Sequence, residues 1–186
     1  MRLVFLITGI AILFASQRAA AEDPAAVFLV KLYMDVCIPN AGRPENVQAW
    51  AVEKRLPAVS SPTALDVFVG AGDKGGAWAV PSVYGSFALS IRGLTQACAV
   101  WARAANPADI ETYFKKIVLG AQRPSVDVKV VKDTTVMSPT GPTRLLVYSV
   151  SMDPSQGGGF LYTMQTAEKV GGAFQASLQV ARYVSP

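Results

Sequence analysis

Phe87-Ala-Leu-Ser-Ile-Arg92, Gly93-Leu-Thr-Gln96, Ala97-Cys-Ala-Val-Trp-Ala102 and then Asn106-Pro-Ala-Asp-Ile-Glu-Thr-Tyr-Phe-Lys-Lys-Ile-Val-Leu-Gly120 decide the fold class. Within them a two-residue period gives way to a helical one. Phe87, Leu89 and Ile91 alternate with Ala88, Ser90 and Arg92. After the turn at Gly93–Gln96, Cys98, Val100 and Ala102 alternate with Ala99, Trp101 and Arg103. Two alternating runs around a short turn predict a β-hairpin. Asn106 then offers a capping side chain, Pro107 suits the first helical position, and Asp109 favours the positive end of the helix dipole. Ile110, Tyr113, Phe114, Ile117 and Val118 recur at helical spacing up to Gly120, so one face of this helix covers a sheet.

Working outward, the C-terminal third alternates throughout. Val126, Val128 and Val130 alternate with Asp127 and Lys129. Leu146, Tyr148, Val150 and Met152 make one face, and Phe160, Tyr162 and Met164 the next. Phe174, Ala176, Leu178 and Val180 alternate with Gln175, Ser177 and Gln179. Turns fall at Ser138–Pro142, Asp153–Gly159 and Gly171-Gly172. Strands of this kind are antiparallel with one wet side. Toward the N-terminus, Asp23-Pro24 starts an apolar helix that Pro39–Gly42 ends, and Pro44–Arg55 reads as a shorter helix. Leu65–Val69 reads as a short strand before the Gly-rich turn Gly70–Gly76. The expected class is α+β: an antiparallel sheet, profilin-like or sensor-like, with helices packed on one face. No internal repeat or linker interrupts residues 22–186, which are expected to form one domain.

The chain has 186 residues, of which 51% are hydrophobic and 16% charged, with two cysteines and no histidine. The charged fraction, against a usual ~25%, argues against disorder and against a coiled coil. The missing histidine removes Ser-His and Cys-His catalysis and His-ligated zinc. Met1-Arg2, the apolar run Leu3–Ala15 and the small residues Ala19-Ala20-Ala21 form the pattern of a secretory signal, with cleavage expected after Ala21. Removing Arg2 and Arg18 takes Lys and Arg from 17 to 15 against 13 acids, so the net charge falls from +4 to +2. Neither that balance nor any basic stripe points to nucleic acid. Periplasmic or secreted localisation is expected, with no membrane association after cleavage. In such a compartment the two cysteines, Cys37 and Cys98, read as one disulfide, the alternative being two buried thiols.

The motifs that would carry chemistry fail on context. Gly70-Ala-Gly-Asp-Lys-Gly75 matches the dinucleotide fingerprint, but no helix starts at its third glycine to hold a pyrophosphate. Neither cysteine has a histidine to activate it. Only Thr112 and Thr166 have a lysine three residues on, at Lys115 and Lys169, and ordinary surface contacts account for such pairs. Carboxylate pairs are the remaining catalytic route, drawn from Asp66, Asp73, Asp127, Asp133, Asp153 and Glu168, with a solvated face as the plain alternative. No calcium-binding loop pattern occurs, and no cofactor or metal is expected. Lys129, Lys132 and Arg144 lie on neighbouring strand segments and could form a basic strip.

Phe28-x-Val-Lys-Leu-Tyr-Met-Asp-Val-Cys37, then Trp50, Trp78-Ala-Val-Pro81, Tyr84-Gly-Ser-Phe-Ala-Leu89 and Cys98-x-Val100 resemble a group of small exported bacterial proteins of unknown function. The resemblance spans roughly residues 28–118. It implies an α+β periplasmic domain with one Cys37–Cys98 bridge, and no activity.

The function expected from these residues is non-enzymatic binding of another envelope or secreted protein, in an inhibitor, immunity or accessory role. Trp78, Tyr84, Trp101, Asp73, Lys74 and Asp153 are the candidate surface, because exposed aromatics anchor interfaces and loops on a rigid sheet carry recognition. Core packing is the alternative for the aromatics. A small-ligand pocket between the sheet and helix 107–119 is the alternative function. A carboxylate-only hydrolase, using residues such as Asp66 and Asp153, is a third.

Overall fold

Asp23 starts the first helix, α1 (Pro24–Leu32), in a computed structural model that describes residues 21–138, 141–152, 158–171 and 173–184. Its carboxylate accepts from the Ala25 N–H at 3.1 Å and from the Asn106 N–H at 2.6 Å, and its own N–H donates to Asp109 at 3.0 Å. Asn106 in turn accepts from the Ala108 and Asp109 N–H groups and caps α4 (Pro107–Leu119). The starts of two helices far apart in sequence are thus tied by their caps. Each exposes the unpaired N–H groups that a cap must satisfy.

α1 continues into a π-helical turn, Tyr33–Cys37. This wider turn brings Cys37 to Cys98, with Cα atoms 5.3 Å apart in the disulfide between them. Tyr33 is fully buried, and its hydroxyl donates to the Gln179 carbonyl at 2.9 Å. Burial drives its phenol well above the ordinary value. Two further helices follow, α2 (Pro44–Glu53) and α3 (Pro62–Val69).

The strands are β1 (Gly75–Val80), β2 (Phe87–Arg92), β3 (Ala97–Ala102), β4 (Asp127–Ser138), β5 (Gly141–Ser151), β6 (Gly158–Ala167) and β7 (Ala176–Val184). Among the described residues they form one seven-stranded antiparallel sheet in the order β1-β2-β3-β7-β6-β5-β4. The chain leaves β3 through α4, starts again at the far edge with β4, and returns strand by strand until β7 closes on β3. The fold is α+β. Among the described residues no helix is long and apolar enough to cross a membrane.

Register explains the core. Leu89, Val100, Leu178, Met164 and Leu146 stand side by side across five strands, and all are fully buried. Ile110 and Phe114 of α4, Leu29 of α1 and Val47 of α2 cover that row. Burying each such side chain contributes about 1.5–3 kcal/mol. The expected alternations in β2, β3, β5 and β6 all supply this face.

Two expectations are corrected. Leu65–Val69 belongs to a helix, α3, capped by the Ser61 hydroxyl. Leu65, Phe68 and Val69 have helical spacing, and Ser61-Pro62 is a helix start. Nor do all the helices share one face. α3 packs its Phe68 on the opposite side of the sheet, against Ala77 and Ala88, with Trp101 and Phe174 beside them. Phe174 thereby leaves the face of Ala176, Leu178 and Val180. Gln175 is buried next to it, its amide accepting from the Ala105 N–H at 3.0 Å and donating to the Ala167 carbonyl at 3.1 Å.

Candidate functional site

The cleft that stands out lies at one end of the sheet. There the ends of β5, β6 and β7 meet the loop after the π-helical turn and the loop after α4. One compartment, of about 650 Å³, is lined by Gly42, Arg43, Met152, Phe160, Arg182 and Tyr183, among others. A second, of about 390 Å³, adds Ile38, Arg123, Val126, Val150 and Tyr162. Ala41, Arg43, Met152 and Phe160 line both, so the two are continuous.

Local sequence fixes each wall. Ile38 donates back to the Tyr33 carbonyl at 3.0 Å, and the Asn40 amide donates to the Val36 carbonyl at 2.9 Å, closing the end of the helix. The chain then reverses at Gly42, whose φ of +74° favours glycine. The Arg182 stem and the Phe160 ring both pack on this glycine, 3.4 Å from where a Cβ would stand. The Arg43 guanidinium donates to the Pro39 carbonyl at 2.7 Å. Arg182 faces Phe160 across the β6–β7 ladder. Arg123 closes a turn with Val126, whose N–H donates to its carbonyl at 2.9 Å.

The electrostatics are one-sided. Among the described residues, no ion pair engages Arg43, Arg123 or Arg182. The described lining of these two compartments contains no carboxylate, thiol or aliphatic hydroxyl, and an adjoining hollow that shares Arg123, Val126 and Met152 adds Ser125 and Asp127, whose carboxylate pairs with Lys129. Burial raises the Tyr162 phenol above its ordinary value, so it remains a neutral donor at physiological pH. No hydrogen bond among the described residues uses that hydroxyl. Guanidiniums beside an apolar wall can hold an anion and its carbon skeleton. They supply no nucleophile and no general acid–base pair.

The residues expected to form a recognition surface are dispersed. Trp78 is buried on the helix-covered face, and only its edge reaches a shallow hollow that Lys74 shares. Trp101 lies on the opposite face, half-buried between Phe68 and Phe174, and its indole N–H donates to Ser90 at 2.9 Å. Tyr84 is exposed, its ring 6.0 Å from that of Phe28. Asp73 accepts from the Leu94 N–H at 3.1 Å and ties the Gly-rich turn to the β2–β3 turn. Asp153 lies outside the described residues, as do the centres of the turns at residues 139–140 and 153–157.

The basic strip does not form. Arg144 turns to the helix-covered face, between Asp133 and Glu111 of α4, while Lys129 and Lys132 sit on the other side of the ladder. Lys115 holds Glu111 at 2.6 Å, and these cations lower the carboxyls of both Glu111 and Asp133. A general acid needs the opposite shift, so this cluster clamps α4 to the sheet. Thr112 donates to the Ala108 carbonyl at 2.8 Å and Lys115 is taken by Glu111, so no dyad forms there. Among the described residues, no group of three or more Cys, Asp and Glu could hold a metal ion. The space between α4 and the sheet is filled by Ile110, Phe114, Met164 and Leu178; the cleft opens beyond the end of α4 instead. No protein-family model matches the chain, nor does any curated protein or solved structure.

Proposed function

We propose that this chain is an exported, non-enzymatic binding protein for a small organic anion. Arg43, Arg123 and Arg182 hold the acid group, and Ile38, Phe160 and Tyr162 receive the apolar body. One observation carries the reading: among the described residues Arg43, Arg123 and Arg182 have no carboxylate partner, and they line two adjoining compartments that share Arg43 and a largely apolar or aromatic wall. A guanidinium fork matches carboxylate and phosphate oxygens, and like charges gathered in a concave site concentrate counter-ions. The volume falls in the range of small-molecule sites. The apolar leader pattern at residues 1–21 and the Cys37–Cys98 bridge support export to an oxidising compartment. A profilin-like or sensor-like sheet suits this role, because the cleft sits where the strands end. The partner-protein role draws less support, since Trp78 and Trp101 occupy opposite faces of the sheet.

Calorimetric titration with 1-naphthyl phosphate, 1-naphthol and 1-naphthylmethylamine tests the proposal. The phosphate is expected to bind, more weakly as salt rises, and the neutral and cationic analogues not to bind. Arg182→Met keeps the stem over Gly42 but removes the charge, and is expected to weaken binding at least about tenfold. Equal binding of all three compounds, or binding of none, would overturn the proposal.

A further inference from the structure

A separate hollow lies at the opposite end of β6 and β7 from the arginine cleft, on the side of the sheet that α3 covers. Trp101 of β3 pairs with Ser177 of β7, and Ser177 with Gln165 of β6, so the three side chains stand in one row on that side. The short serine between a tryptophan and a glutamine leaves a depression of about 150 Å³. Phe174 walls it beside Trp101, and Thr143 of β5 and Ser138 of β4 close it across the sheet. The Trp101 ring is fixed: its indole N–H is spent on Ser90, and the rings of Phe68 and Phe174 stand 5.6 and 5.9 Å away. Ser177 is only 8% exposed, yet no hydrogen bond among the described residues uses its hydroxyl, and none uses the side-chain amide of Gln165. Buried polar groups normally have a partner. Among the described residues the lining carries no charged side chain.

We propose that this hollow binds one neutral sugar ring, free or at the end of a glycan. The lining selects that chemistry by exclusion and by fit. An ion would find no opposite charge there. A purely apolar ligand would leave the Ser177 hydroxyl and the Gln165 amide unpaired in a drier site, which is costly. The occupant must therefore bring several neutral donors and acceptors. Ser177 can donate and accept, and Gln165 offers two donors and an acceptor, so together they match the paired donor–acceptor character of neighbouring sugar hydroxyls. The occupant must also bring an apolar face to lie against Trp101 and Phe174. A pyranose has both: hydroxyls around its rim and C–H bonds on its faces. The volume lies below the range of drug-sized sites and suits a single ring.

The indole N–H signals of the three tryptophans, Trp50, Trp78 and Trp101, give a direct readout in ¹H–¹⁵N spectra of the labelled, oxidised chain. The probes are the methyl glycosides of glucose, galactose, mannose and N-acetylglucosamine, with cyclohexanol as a ring that lacks the hydroxyl rim. At least one glycoside is expected to shift the Trp101 indole and the Gln165 side-chain amide saturably, leaving Trp50 and Trp78 in place, while cyclohexanol shifts none of them. Ser177→Ala and Gln165→Ala should each weaken that binding about two- to tenfold. Ser177→Val fills the hollow with a residue that strands favour and should abolish it. Circular dichroism checks the fold of each variant, and Gln165, being exposed, can be changed without disturbing the core. A disaccharide of the bound sugar held at least as tightly marks a glycan end, and one held more weakly marks a free sugar. No saturable shift with any of the four glycosides would overturn the proposal, as would an equal response to cyclohexanol or undiminished binding by Gln165→Ala and Ser177→Val.

Discussion

Breaking the Cys37–Cys98 bridge is expected to cost the fold roughly 4 kcal/mol. The bridge joins positions 61 residues apart. Closing a loop of that length removes about 14 cal/mol/K from the unfolded chain in the chain-entropy relation, or about 4 kcal/mol at 25 °C. Both halves sit in the core, Cys37 fully buried and Cys98 2% exposed, so the freed thiols remain in an apolar site of the right volume. For a domain of this size, each kcal/mol moves Tm by about 2–4 °C, so Tm should fall by roughly 8–16 °C. The assay is thermal and urea unfolding of the oxidised protein, the reduced protein and the Cys37→Ala/Cys98→Ala variant. The reduced protein isolates the loss of the restraint, while the double alanine adds a cavity and should be lower still. The urea dependence should steepen on reduction, because an unrestrained unfolded chain exposes more surface. A Tm change below about 2 °C after complete reduction, checked by mass, would refute the argument.

Tyr33→Phe removes the hydroxyl that donates to the Gln179 carbonyl and should cost about 0.5–1.5 kcal/mol in chemical unfolding. The wild type should also lose stability above about pH 10, where the unfolded chain releases a proton that folded Tyr33 retains, and the variant should lose less. Arg144→Met should flatten the acid side of the stability profile. The carboxyls of Glu111 and Asp133 are lowered in the fold, so the stability they contribute is full above the ordinary carboxylate range and is lost as pH falls through it. An unchanged acid limb in urea titrations from pH 6 to pH 3 would count against the clamp.

The parts legible in the sequence were those written in short-range chemistry. Asn106-Pro107 and Asp23-Pro24 cap their helices as read, and the alternations through Leu89, Val100, Leu146 and Leu178 supply one core face. Alternation identifies the two sides of a strand but not which side a distant helix will cover. That is why α3, short enough to pass for a strand, was assigned neither its conformation nor its side of the sheet. Phe174 misled for a related reason. It precedes β7, where the chain has not yet entered the pleat, and the neighbouring Gln175 is buried with its amide bonded to Ala105 and Ala167. The arginine cleft left no local signature. Arg43, Arg123 and Arg182 sit in a loop, a turn and a strand end separated by scores of residues, and only the return of β4–β7 onto β3 brings them together. Trp78 and Trp101, named as a candidate surface with core packing as the alternative, show the converse: Trp78 is in the core and Trp101 is half-buried on the other face. Residue type suggests a surface, but adjacency in sequence does not set the face.

The arginine cleft as the binding site is tested most directly by mapping where an anion lands. Two-dimensional ¹H–¹⁵N spectra of the labelled protein, titrated with 1-naphthyl phosphate, report on each backbone amide. The account predicts saturable shifts confined to residues 38–43, 121–126, 150–152, 158–162 and 182–184, the elements that line the two compartments. Shifts centred instead on Phe68, Trp101 and Phe174, or no saturable shifts at all, would contradict it.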